Sequence, residues 1–189
     1  VKNRTITVRG VEELKLQDYK VIPDRIEAGS YILATMATKG RLKLNNFNPK
    51  DLSLPLKVFK DMGLKIKKLS NSSYEIYCKA LKPIKKISTK EFPGYPTDLQ
   101  AQLIATQLKS GLKSKVVENI FENRFIHIPE LRRFGANLSI KGNTVTIDKT
   151  SILLGAEVMA TDIRASFSLI IAAMMSKGKT VINRIYHLD

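Results

Sequence analysis

The period of the apolar positions changes several times along this chain, and each change marks an element. Residues 4–9 (Arg-Thr-Ile-Thr-Val-Arg) alternate as a strand does, and Tyr19 to Ile22 reads as a second, short strand. The spacing then turns helical. Ile26, Ser30, Leu33 and Ala37 share one face behind Pro23 and an Asp24/Glu27 pair that resembles a capping box, and Gly40 ends the run. Arg41 to Phe47 follows as a strand. Pro49 and Asp51 open a helix over Leu52 to Met62, which Gly63 closes. Leu64 to Leu69 and Tyr74 to Cys78 form a hairpin across Ser70 to Ser73.

The same succession returns after Lys85 to Thr89. Pro93, Gly94 and Pro96 break regular structure, and Thr97 with Gln100 three residues later forms a capping box. The predicted helix runs to about Lys109, Gly111 stops it, and Lys115 to Phe121 reads as a strand. A short helix over Pro129 to Phe134 ends at Gly135. A hairpin pairs Asn137 to Lys141 with Thr144 to Asp148 across Gly142-Asn143. A third long helix opens at Ala160-Thr161-Asp162-Ile163-Arg164, with Ile163, Phe167, Ile170, Ile171 and Met174 as its core stripe. Gly178 ends it, and Thr180 to Ile185 is a strand.

One β-α-β-α-β-β unit is therefore used repeatedly, over approximately 1–80, 81–148 and 149–189. The three long helices start at Pro23-Asp24-Arg25, Pro96-Thr97-Asp98 and Ala160-Thr161-Asp162, at intervals too irregular for a solenoid. The third copy stops before its second helix and hairpin. The expectation is a single α/β domain over 1–189 that is a fragment, or that borrows its missing piece from elsewhere in a longer chain.

Composition adds limits. At 189 residues, 43% hydrophobic and 26% charged, the chain suits a globular domain. No apolar stretch reaches membrane-spanning length, and the N-terminus lacks a signal-type apolar segment, so a cytoplasmic location without membrane partners is expected. The net charge of +15 attracts anions: nucleic acid, anionic lipid or phosphorylated small molecules. Most of the lysines are scattered, as on solvated faces. The densest cluster, Lys82 to Lys90, lacks the interleaved aromatics of a single-strand-binding platform. Cys78 is the only cysteine and reads as a buried inert thiol. His127 and His187 have no second ligand at i+4, and no Gly-rich phosphate loop or Ser-His-Asp order occurs. Neither a metal nor a cofactor is expected.

The remaining candidates are acids and arginines at helix starts and strand ends. Each long helix carries an aspartate in its first turn, and Arg25, Arg124, Arg164 and Arg184 lie beside the same ends. Three units packed about a pseudo-threefold axis would bring these ends together as a site for phosphate or carboxylate. Pattern alone assigns Asp24 and Arg25 to capping and pairing. For Asp98, Arg124 and Arg164 it leaves capping and ligand binding both open, because strand ends and helix starts are where α/β ligands sit.

Several long motifs carry a resemblance. Phe-Pro-Gly-Tyr-Pro-Thr-Asp-Leu-Gln-Ala-Gln (92–102), Glu-Asn-Ile-Phe-Glu-Asn-Arg-Phe-Ile-His-Ile-Pro-Glu-Leu (118–131), Gly-Ala-Glu-Val-Met-Ala-Thr-Asp-Ile-Arg-Ala-Ser (155–166) and Asn-Arg-Ile-Tyr-His-Leu-Asp (183–189) closely resemble the UDP-N-acetylglucosamine 1-carboxyvinyltransferase family of enolpyruvyl transferases. The segment 22–29 looks like the same family, so the likeness runs in order over nearly the whole chain.

The resemblance implies two similar domains, each an inside-out α/β barrel of three such units, with this chain most of one of them. It implies transfer of enolpyruvyl from phosphoenolpyruvate to the 3′-hydroxyl of UDP-N-acetylglucosamine through a tetrahedral ketal, with loss of phosphate, in a cleft between the domains. By matching position, Asp98 contacts the sugar 3′-hydroxyl as general base, and Ile120 contacts the UDP-sugar through its backbone. Arg124, Arg164 and Arg184 face the cleft, with Arg184 assigned to phosphoenolpyruvate, and Asp162 lies near the reacting centre.

The family's reactive-cysteine loop and its partner arginine belong to the other domain, and Cys78 matches nothing in it. Lys2-Asn3 lacks the small-residue context of the family's Lys-Asn pair, and most uridine contacts are absent. This chain alone is therefore expected to hold half a cleft and to be inactive. A shikimate-phosphate enolpyruvyl transferase domain is the nearest alternative, although the Phe-Glu-Asn-Arg-Phe and Arg-Ile-Tyr-His segments favour the UDP-sugar enzyme. A basic nucleic-acid-binding module is the alternative from charge, and it predicts affinity that falls steeply with added salt.

Overall fold

Residues 5–188 are described in the computed structural model, the side chains of 187 and 188 excepted. The first unit comprises α1 (Arg25–Ala37), β1 (Arg41–Leu44), a 3-10 turn (Pro49–Leu52), α2 (Ser53–Asp61), β2 (Lys65–Lys68) and β3 (Tyr74–Tyr77). The second comprises β4 (Lys86–Ser88), a 3-10 turn (Thr97–Leu99), α3 (Gln100–Gln107), β5 (Ser114–Val117), α4 (Ile128–Arg133), β6 (Leu138–Lys141) and β7 (Thr144–Ile147). The third comprises β8 (Glu157–Met159), α5 (Ile163–Met175), β9 (Val181–Asn183) and a 3-10 turn (Ile185–Leu188).

The middle unit has the expected β-α-β-α-β-β order. Its sheet runs β4-β5-β7-β6, with β4 and β5 parallel and the other pairs antiparallel. The first sheet, β1-β3-β2, repeats that order without a leading strand, and the third consists of parallel β8 and β9.

The two strands expected over 4–9 and Tyr19 to Ile22 do not appear. Arg4 lies outside the described residues, Thr5 makes only an isolated bridge, and 6–22 carry no ladder. Ile6, Val8, Tyr19 and Val21 stay exposed. Alternation marks a segment able to pleat, but a strand exists only where a neighbour takes up its backbone groups. Elsewhere the elements are shorter than the spacing predicts. The strand expected over Lys115 to Phe121 ends at Val117, because Glu118 folds its carboxylate back onto the next backbone amides. The strand over Thr180 to Ile185 is trimmed to Val181–Asn183, and β8 goes unpredicted because three residues carry too little alternation.

α3 is the centre of the molecule. All eight of its residues are buried, although four are polar, and it packs against both α1 and α5. Three of its four polar side chains make internal hydrogen bonds, as burial favours, while Gln100 Nε2 and Gln102 Oε1 find no partner among the described residues. Gln102 Nε2 donates to Ser30 Oγ at 3.0 Å and to the Asp98 carbonyl at 2.9 Å, while Thr106 Oγ1 donates to the Leu33 and Gln102 carbonyls. Gln107 Oε1 accepts from Ile84 N and Ser114 Oγ, both at 3.0 Å, tying the helix end to the sheet.

Gly29 sets the approach of α1 to this centre. A Cβ there would lie 2.6 Å from Leu99 Cδ1, and Leu99 is fully buried next to Asp98. The missing side chain lets the start of α1 close on the turn that carries Asp98.

Candidate active site

Parallel strand pairs put the starts of the following helices at one end of their sheets, where α/β proteins bind ligands. β4 leads through a loop to the Thr97–Leu99 turn, β5 leads into the loop 118–126, and β8 leads directly into α5. The capping box expected at Thr97 does not form. Thr97 Oγ1 instead donates to Glu118 Oε2 at 2.8 Å, a partner on the neighbouring strand end. With its first turn in the tighter 3-10 form, the element presents Asp98 at its tip.

Two arginines converge on Asp98. Arg164 Nε lies 2.6 Å and Arg124 Nη2 2.9 Å from the same oxygen, Oδ1. Arg124 is the more enclosed, its side chain 16% exposed against 39% for Arg164, and its guanidinium stacks 4.5 Å from the centre of the Phe121 ring. Asp98 and Arg164 line a cavity of about 630 Å³, together with Asp24, Glu27 and Tyr31 of the α1 end and Gln102. Arg124 lines a second, of about 710 Å³, formed by residues 118–126 with Ile140 and Asn143. The Asp98–Arg124 pair stands between the two. The first turns of all three long helices thus face one cavity, as a common rim requires.

Glu118 closes the strand end behind this pair. It is 2% exposed. Oε1 accepts from Thr89 Oγ1 at 2.9 Å, Ile120 N at 2.8 Å and Phe121 N at 3.2 Å, and Oε2 from Thr97.

The family described as EPSP synthase (3-phosphoshikimate 1-carboxyvinyltransferase) matches residues 1–189. The chain belongs to that family. It is 49% identical over 188 residues to the UDP-N-acetylglucosamine 1-carboxyvinyltransferase of Pelagibacter ubique (strain HTCC1062), covering 98% of this chain and 44% of that protein. The enzyme of the same name from Helicobacter pylori (strain Shi470) is 43% identical over 191 residues, covering 100% of this chain and 45% of that one. The chain thus spans less than half the length of these curated relatives.

Among solved structures, the enolpyruvyl transferase NikO from Streptomyces tendae aligns with a TM-score of 0.78 at 23% identity, over 89% of this chain and 40% of that one. An EPSP synthase from Acinetobacter baumannii aligns with a TM-score of 0.65 at 18% identity, over 87% and 39%. At these identities the likeness shows the fold, which is the α/β class expected from the sequence.

The remaining sequence candidates lie at the helix starts and strand ends near the Asp98–Arg124 pair. Asp24 caps α1, accepting from Ile26 N at 2.7 Å and Glu27 N at 3.2 Å, and Arg25 lies over the Phe92 ring at 5.7 Å. Asp162 caps α5, accepting from Arg164 N at 2.7 Å and Ala165 N at 3.0 Å, and so fixes the backbone of the arginine that grips Asp98. Arg184 does not join that cluster. It follows β9 in the left-handed region (φ 59), exposed, with Nη1 3.6 Å from Met159 Sδ. β8 and β9 run parallel, so Arg184 still sits at the sheet end that leads into α5. Ile120 lines the second cavity, and with its N–H held by Glu118 its carbonyl is the backbone group left for a ligand. Glu118 itself was not singled out in the sequence, where it falls inside the strand expected over Lys115 to Phe121.

Cys78 is buried, and burial pushes its thiol up, against a backbone hydrogen bond to Ala80 and the charge of Lys39. Among the described residues no group of three His, Cys, Asp or Glu is placed to hold a metal, and no helix is long and apolar enough to cross a membrane. His187 carries no described side chain.

His127 is 2% exposed, and among the described residues its Nε2 has no hydrogen-bond partner. Burial lowers the imidazole from 6.5 to about 4, with nearby Asp162 opposing and Arg124 adding to the shift. The unfolded chain takes up this proton near 6.5 and the folded chain only near 4, so the neutral ring's contribution is complete above about 6.5 and is lost as pH falls towards 4. The expected slope from this group is up to about 1.4 kcal/mol per pH unit in that window. Urea midpoints measured between those limits should fall less steeply for His127→Gln than for the native chain. Parallel curves would mean that His127 titrates normally in the fold.

Proposed function

We propose that the polypeptide containing this chain is a UDP-N-acetylglucosamine 1-carboxyvinyltransferase acting in the cytoplasm in the first committed step of peptidoglycan synthesis. The rest of its length would complete the inside-out barrel and supply the domain that closes the cleft. The observation that carries this is Asp98 gripped by Arg124 and Arg164 where three helix starts meet, in a chain whose curated relatives bear that name.

The arrangement suits the chemistry. The two guanidinium groups pair with Asp98 through one oxygen. Phosphoenolpyruvate is a polyanion, and arginines favour bidentate pairing with phosphate or carboxylate. Its arrival would draw Arg124 and Arg164 from Asp98, leaving a carboxylate free to accept the proton of the sugar 3′-hydroxyl as its oxygen adds to the enol carbon. A proton added to the methylene carbon completes the tetrahedral ketal, which then loses a proton from that carbon together with phosphate, restoring the double bond. Asp162 is assigned a place beside the reacting centre, Arg184 the phosphoenolpyruvate anion, and the Ile120 backbone the UDP-sugar. The scheme uses no metal and no cofactor.

The family's name, which refers to 3-phosphoshikimate, keeps a second acceptor, shikimate 3-phosphate, in view. Phosphate release from phosphoenolpyruvate by the intact polypeptide separates the two. Release that requires UDP-N-acetylglucosamine supports the proposal. Release that requires shikimate 3-phosphate instead, or salt-sensitive nucleic-acid binding with no release, refutes it. Arg184→Ala is expected to raise the KM for phosphoenolpyruvate about 10- to 100-fold, the worth of a charged hydrogen-bonded contact, and to leave the sugar-nucleotide KM in place. An unchanged phosphoenolpyruvate KM and rate would remove Arg184 from that role.

A further inference from the structure

Glu118 is a buried carboxylate whose charge is held by dipoles. Among the described residues it has no ion pair, and its four partners are all donors. Ile120 and Phe121 offer backbone N–H groups, which only donate. The Thr89 hydroxyl already accepts from Asn119 N at 2.8 Å, so its hydrogen points to Glu118 Oε1. Thr97 takes Oε2. A buried charge without a cation is expensive, and closing a strand end needs none.

The four partners lie on the pieces that carry the transferase chemistry. Thr89 directly follows β4 and bridges Tyr95, and Thr97 immediately precedes Asp98. Ile120 is the backbone contact assigned to the sugar nucleotide, and Phe121 is the ring on which Arg124 rests. One carboxylate therefore spans both halves of the Asp98–Arg124 pair. Through Oε2 it holds the turn bearing the base, and through Oε1 it curls the loop bearing the arginine.

We propose that Glu118 is a positioning residue for the reaction. It sets the distance between Asp98 and Arg124, and by occupying the Ile120 N–H it leaves the Ile120 carbonyl as the group presented to the acceptor nucleotide. This rests on the transferase assignment above.

The test uses the intact polypeptide. Thr97→Val keeps the side chain's shape and removes the bond to Oε2. It is expected to raise the acceptor KM and lower kcat, each about tenfold, because small misplacements at a reacting centre are costly. The phosphoenolpyruvate KM should stay within about twofold. Glu118→Ala should lose about 100-fold or more in kcat/KM for the acceptor. Glu118→Gln keeps Oε1 and offers Thr97 a donor that its hydroxyl can turn to accept, so it should recover to within about tenfold of the native value.

A merely structural Glu118 would leave both KM values native and lower kcat only in step with the folded fraction, and that result overturns the proposal. If Glu118→Ala does not fold, Thr97→Val and Glu118→Gln decide. If the native polypeptide uses neither acceptor, the transferase assignment fails by itself. The positioning claim is then settled by the crystal structure of Thr97→Val, where an Asp98–Arg124 pair unmoved within about 0.5 Å refutes it and a separated pair upholds it.

Discussion

Asp98→Asn in the intact polypeptide is expected to lower turnover by about 10²- to 10⁴-fold, the range for loss of a positioned general base. The amide keeps the shape of the carboxylate but takes up no proton at neutral pH. The fold should survive, because Asp98 caps nothing and its two ion pairs are partly exposed. Such pairs contribute little to stability. Substrate binding should respond differently. With no carboxylate to neutralise, Arg124 and Arg164 are released toward the anion, so the phosphoenolpyruvate KM should stay level or fall. Turnover near the native rate would remove Asp98 from the mechanism. A collapse of thermal stability would recast it as a structural anchor.

Phe59→Ala should have the largest effect on stability. Phe59 is fully buried on α2, and its ring meets Tyr95 edge-on with centroids 6.4 Å apart. Tyr95 precedes the Asp98 turn and its hydroxyl donates to the Leu99 carbonyl at 3.3 Å. The aromatic pair thus ties the first unit to the turn that carries the base. Truncation of a buried phenylalanine costs about 3–5 kcal/mol, a large share of the ~5–15 kcal/mol of a typical domain. At this size a drop in Tm of about 10 °C is expected. Phe59→Leu, which keeps most of the volume, should lose clearly less. A loss below about 1 kcal/mol for the alanine variant, measured by urea unfolding, would show that the two units are not packed through this pair.

Much of this architecture was legible in the chain. The helices announced themselves by aspartates that do cap α1 and α5 and by glycines such as Gly63 and Gly135, which take the left-handed conformation just past the last turn, although Ile163 and Met174 of the stripe expected on α5 stay exposed. The β6–β7 hairpin was readable from its alternation across Gly142-Asn143. The motifs around Asp98, Arg124 and Arg164 pointed to the residues that meet at the rim.

What stayed hidden depends on partners distant in sequence. Thr97 reads as a capping residue until Glu118, far along the chain, takes its hydroxyl. α3 looks half polar, yet Gln102 and Thr106 are buried because Ser30 and Leu33 of α1 receive their hydrogen bonds. The alternation before α1 promises strands, but only a neighbouring edge can turn that promise into a ladder, and residues 6–22 find none among the described residues. Arg184 shares the sheet end with α5 without reaching Asp98, a distinction that spacing does not encode.

The most direct test is a crystal structure of the intact polypeptide with UDP-N-acetylglucosamine and phosphate bound. The sugar 3′-hydroxyl should lie about 2.6–3.2 Å from the Asp98 carboxylate, with Arg124 and Arg164 turned from Asp98 onto the anion. A nucleotide seated away from this rim, with both arginines still on Asp98 Oδ1, would contradict the account.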